Sequence, residues 1–85
     1  MYEHTVVVGS RVGLHARPAT TIAEAADELG SEVFIGLPDD EAVEANSALL
    51  IMSLGAGPGA QVVVSGEQQA DVDVIAALVE KDLDA

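Results

Sequence analysis

Short runs rich in β-branched residues alternate along this chain with segments of helical period. The first run, YEHTVVV over residues 2–8, reads as a strand, and Gly9, Ser10 and Gly13 mark the loop behind it. From Ala16 onward Ala19, Ile22, Ala23, Ala26 and Leu29 recur at helical spacing, with Gly30 as the expected stop. EVFIGL (32–37) reads as a second strand, PDD (38–40) as a turn and EAVEA (41–45) as a short third strand. Asn46 and Ser47 are N-cap candidates for a short helix within NSALLIMSLG (46–55), which Gly55 closes. After the loop GAGPG (55–59), AQVVVSG (60–66) supplies a fourth strand. Val72, Ile75, Ala76, Val79 and Leu83 then share one helical stripe, with acids between them facing water. The order βαββαβα in so short a chain predicts an α+β fold, a two-layer sandwich with the helices packed on one face of a single sheet.

At 85 residues the chain is one domain, 1–85, with room for one modest core. Its apolar residues are mostly Ala, Val, Leu and Ile, and with one Tyr, one Phe and no Trp the core is expected to be aliphatic and thin. No cysteine is present, so no disulfide or thiolate metal site staples the fold. The N-terminus lacks the basic and long apolar regions of a signal peptide, and no apolar run reaches the ~20 residues of a membrane helix. The expectation is a soluble, cytoplasmic protein.

Charge excludes one class of partner. Three Lys and Arg against fifteen Asp and Glu give a formal net charge of −12, which leaves almost nothing to neutralise a nucleic-acid backbone. Such self-repulsion destabilises a compact chain at low salt, whereas at 1 M salt the screening length falls to roughly 3 Å. Two readings stand: a halophilic protein suited to a salty interior, or an ordinary acidic domain.

Against that background the stretch GLHARPAT (13–20) is distinctive, because two of the three basic residues, Arg11 and Arg17, lie within four positions of His15. His15 falls at the start of the first helix, where backbone N–H groups lack intrahelical acceptors and the dipole places partial positive charge. That is a ready anion site, with the N–H groups of Ala16 and Arg17 as the candidate phosphate-binding backbone. Pro18 in the first turn suits helix entry, and the Arg17 fork matches phosphate oxygens. An imidazole nitrogen is both a nucleophile and, once phosphorylated, a leaving group, so the pattern fits a phosphoryl relay. A histidine before a helix also serves simply as a cap or a surface residue. Metal binding has little support, since His4 and His15 are the only histidines and no cysteine exists; a nucleophilic serine triad has less.

GLHARPAT resembles the active-site signature of HPr, the histidine-containing phosphocarrier family of the phosphoenolpyruvate-dependent sugar phosphotransferase system. NSALLIMSLG is similar to a second, looser family segment. The resemblance covers nearly the whole chain. It implies an open-faced sandwich of a four-stranded antiparallel sheet with three helices on one side. It implies phosphorylation of His15 on Nδ1 (the pros nitrogen) by phosphorylated enzyme I, transfer to a sugar-specific IIA domain, and stabilisation of the moving group by Arg17. A fructose or dihydroxyacetone branch is among the acceptors. No cofactor, no metal of its own and no membrane insertion is implied, and nothing demands more than a monomer; any Mg²⁺ would belong to enzyme I.

Ser47 matches a serine that a regulatory kinase modifies in some members, although Asn46 stands where many have lysine; Ser47 is equally a plain N-cap. Ala48, Leu49 and Met52 share one face of the short helix, Leu50 and Leu54 another. By resemblance Ala48, Leu49 and Met52, with Thr20, form an exposed partner-docking patch near His15; the alternative is that all five apolar residues of the short helix are core. His4 receives no role and is expected at a solvent-facing or edge position. Arg11 either attracts phosphate or a partner's acids or is a solvated loop residue. Family members often present basic residues to acidic partners, so this acidic chain either docks mainly through apolar contact or meets surfaces that have changed with it. Rival readings are a regulatory docking module of the same fold, and a carrier serving a dihydroxyacetone kinase or nitrogen-related branch.

Overall fold

The computed structural model describes residues 1–83. Seven elements follow in the expected order: β1 (Tyr2–Val7), α1 (Ala16–Asp27), β2 (Val33–Gly36), β3 (Val43–Glu44), α2 (Ala48–Ser53), β4 (Gln61–Gly66) and α3 (Gln69–Glu80). The strands form one antiparallel sheet in the order β1-β4-β2-β3, so the N-terminal strand is an edge and β4 and β2 form the centre. The register pairs Val6 with Val62, and both His4 and Ile35 with Val64.

Side chains alternate across the sheet as the two-residue strand period requires. Val6, Val33, Ile35, Val62 and Val64 are buried in the helix-covered layer, while Val63 and Phe34, on the opposite face, are half-buried. From the helices, Ile22, Ile51, Ile75 and Val79 complete the core, and these isoleucines are among its largest fully buried side chains. Burying each stabilises the fold by roughly 1.5–3 kcal/mol before the entropy of ordering is charged. Neither aromatic residue is in the core, as the aliphatic composition foretold; Tyr2 is 51% exposed.

Three boundaries differ most from the sequence reading. α3 stops at Glu80, so Leu83, expected on its stripe, lies in a turn beyond the helix. α1 ends at Asp27, not at Gly30, because Glu28 and Leu29 donate to Ala25 and Ala26 in tightened i→i−3 bonds. Gly30 has no positive φ and is no αL cap. β3 is only two residues long, since antiparallel pairing with β2 holds for Phe34↔Glu44 and Ile35↔Val43 alone.

Candidate active site

His15 is the N-cap of α1, in extended conformation (φ −85°, ψ −169°). Its carbonyl accepts the first helical bond, from the Ala19 N–H at 2.8 Å, while its exposed ring makes no capping hydrogen bond. Pro18 occupies the third helical position and carries no N–H. The N–H groups of Ala16 and Arg17 therefore lead the helix ahead of that first bond, on the positive end of the dipole and next to the imidazole. Arg17 is exposed in the same turn, and its carbonyl accepts from Thr21 Oγ1 at 3.1 Å.

The loop carrying His15 is fastened at both ends. At one end the Gly9 N–H donates to the Val79 carbonyl at 3.1 Å, so close to α3 that a Cβ on Gly9 would overlap the Glu80 carbonyl. At the other, Gly13 adopts φ +74°, and a Cβ there would lie 2.6 Å from the Ala56 oxygen. That oxygen accepts from the Leu14 N–H at 2.9 Å, which ties the loop to the residues after α2. Leu14 itself is buried and anchors the turn just ahead of His15.

Of its two expected roles Arg11 takes the second, a solvated loop residue, with its side chain 73% exposed. Its Nε donates to Asp82 Oδ2 at 3.1 Å, pairing the loop with the chain just beyond α3. His4 lies on the edge strand and is exposed, as expected, with Nδ1 3.1 Å from Asp73 Oδ1 of α3.

In α2 the expected exposed face needs correction. Ile51 is the residue driven fully into the core, and Ala48 and Met52 straddle it on the helical wheel, so both are half-buried and packed against the core rather than fully exposed. Leu49 points away at 74% exposure, and Leu50, grouped in the sequence reading with Leu54, is also exposed at 40%. Thr20 is exposed on α1. Ser47 is the N-cap, its Oγ accepting from the Leu50 N–H at 3.3 Å, and Gly55 (φ +67°) closes the helix.

Of the expected site residues His15 and Met52 meet, around a shallow depression of about 230 Å³ also lined by Val12, Leu14 and the Gly55–Gly57 loop; Arg17, Thr20, Ser47, Ala48 and Leu49 do not line it. Val12, half exposed, was not singled out in the sequence, and the 55–59 segment was read as a loop without a place at the site. The available signal was an apolar residue flanking Gly13 and a glycine-rich loop, neither of which names a partner in space. The charge map was also open to inspection: residues 4–23 and 45–66 contain no Asp or Glu, and these are the stretches that supply the lining of the depression. Among the described residues no group of three or more His, Cys, Asp or Glu is arranged to hold a metal ion. No helix among them is long and apolar enough to cross a membrane.

Comparison with known proteins bears on the fold and the family. Residues 2–81 match the family model described as the PTS HPr component phosphorylation site. The phosphocarrier protein HPr of Streptomyces coelicolor is 37% identical over 87 residues, covering 99% of this chain and 94% of its own. The phosphocarrier protein NPr of Klebsiella oxytoca is 27% identical, covering 91% of this chain and 86% of its own. The crystal structure of an HPr from Thermoanaerobacter tengcongensis superimposes with a TM-score of 0.87 at 31% identity, covering 100% of this chain and 98% of that one. With sheet order, site segment and family match in accord, this chain belongs to the PTS HPr family and is an HPr-type phosphocarrier.

Proposed function

We propose that the protein carries a phosphoryl group on Nδ1 of His15, received from phosphorylated enzyme I and delivered to a IIA-type domain. The observation that supports this most directly is the exposed His15 ring, uncommitted as a cap, beside the leading N–H groups of α1. In each transfer one bond to phosphorus breaks as another forms. The imidazole lone pair attacks phosphorus in the first step, and the ring leaves in the second. The helix start and the Arg17 guanidinium offset the added negative charge, and the bare surroundings oppose it less than the rest of this acidic surface would. Leu49 with Thr20, flanked by Ala48 and Met52, forms the docking patch in this reading.

The test is intact mass after incubation with phosphoenolpyruvate, Mg²⁺ and the cognate enzyme I. Wild type gains one phosphoryl group that acid removes and alkali spares, and His15→Ala gains none. If wild type gains no mass from an active enzyme I, the carrier reading fails and a docking module of the same fold replaces it. A second reading keeps the chemistry and changes the acceptor to another branch, such as a dihydroxyacetone kinase or a nitrogen-related one. The similarity to a phosphocarrier named NPr supports it, and transfer assays with each acceptor separate the two.

A further inference from the structure

Beside the docking patch, the exposed residues Thr20, Glu24 and Asp27 follow one another at i, i+4 and i+7 along one stripe of α1. With Ala23 below them and Asn46 and Ala48 opposite, they bound a groove of about 310 Å³. Asp27 and Asn46 also line a second hollow of about 220 Å³, so the two adjoin. That second section runs past Glu32 and Glu44 over a floor that includes Ala26 and Leu29. At 1.5 Å per residue the groove follows α1 for roughly 10 Å from Thr20 to Asp27, and the second hollow continues beside the residues just after the helix. No Lys or Arg lines either section, and the last turn of α1, the negative end of its dipole, carries no basic residue.

Shape and charge together select an occupant. Alanines on the floor leave width for the aliphatic stem of a long side chain, and carboxylates along the rim meet its cationic head. An acidic surface would be repelled there, and an apolar one would strip water from the carboxylates with nothing in return. We propose that the groove receives Lys or Arg side chains of the phosphoryl-donor protein, which thus meets this carrier with the cations on the donor and the carboxylates on the carrier. This rests on the carrier reading above and adds to it the chemistry of the partner's surface. The donor would then present an apolar contact opposite Leu49 and basic residues about one to two helical turns beyond Thr20 along α1.

The experiment measures steady-state phosphorylation of the full chain by the cognate enzyme I over the range of KCl, up to molar, in which circular dichroism shows every variant fully folded. It compares wild type with Glu24→Gln/Asp27→Asn, Glu24→Lys/Asp27→Lys, and the off-groove control Glu41→Gln/Glu67→Gln. The expected result is a KM for the carrier that rises with salt in wild type. Groove neutralisation raises it roughly threefold to tenfold at low salt and flattens the salt dependence, with kcat unchanged. The lysine pair raises KM further, while the control follows wild type. A KM that is unmoved by the groove variants, lowered by them, or shifted equally by the control overturns the proposal, the last outcome assigning the effect to net charge alone. Failure of wild type to accept a phosphoryl group at any salt is a different result and sinks the carrier reading itself.

Discussion

Single residues divide here into those that do chemistry and those that hold it in place. Arg17 is exposed on the first turn of α1 and belongs to the first class in the proposed mechanism. A charge-assisted hydrogen bond contributes about 1.5–3 kcal/mol, so Arg17→Ala is expected to slow phosphoryl transfer roughly 10- to 100-fold while circular dichroism and thermal midpoint stay unchanged. An equal loss of stability would make Arg17 a structural residue. Gly13 belongs to the second class, since its φ of +74° and the nearby Ala56 oxygen both oppose a side chain. Gly13→Ala is expected to cost about 2 kcal/mol or more in urea denaturation, and the loop is expected to detach from residues 55–57. The placement of His15, Ala16 and Arg17 at the start of α1 was legible because it is a local matter of a motif, a helix start and a fixed spacing. The pairing of Arg11 was not. Its partner Asp82 lies 71 positions away, a relation that no local pattern carries.

Among the elements, α1 was legible and α2 only half so, for a reason of length. Over twelve residues a stripe repeats often enough to fix its phase, and Ala19, Ile22, Ala23 and Ala26 are all buried. α2 has six residues and a single fully buried one, Ile51, so several assignments of its inner face fit the sequence equally well. The structure makes the division testable. Ile51→Ala should cost about 2–5 kcal/mol and Leu49→Ala less than about 0.5 kcal/mol, as read from urea midpoints at constant slope. Ser47→Ala should cost about 1 kcal/mol through loss of the cap, with Ser47→Asp restoring most of it. If Ser47→Ala is neutral, the cap geometry at Leu50 contributes nothing to stability. β3 was overestimated in length because composition marks a strand, whereas pairing with β2 decides where it stops.

For the molecule as a whole, the sandwich follows from the sequence because each element's apolar face has the same destination. The charge distribution was legible too, yet a sum of −12 conceals that two long stretches hold none of the acids. Carboxylates crowd the remaining surface with few cations among them, and screening should therefore stabilise the fold. Helical circular dichroism is expected to fall as salt drops from molar to millimolar and to return on adding KCl; a flat response would leave an ordinary acidic domain. Unfolding should not be complete, because the aliphatic core is insensitive to charge.

The all-aliphatic interior also decides how the protein looks to light. Tyr2 is its single near-ultraviolet chromophore of any strength, already half in water in the native state and at the far end of β1, ~20 Å of strand from the His15 loop. Absorbance and intrinsic emission therefore register unfolding only weakly and events at the histidine hardly at all. In any mixture with a tryptophan-bearing partner, the emission belongs to the partner alone. A tryptophan introduced at Val12, half exposed on the wall of the depression, would turn this dark carrier into its own reporter of arrival and departure.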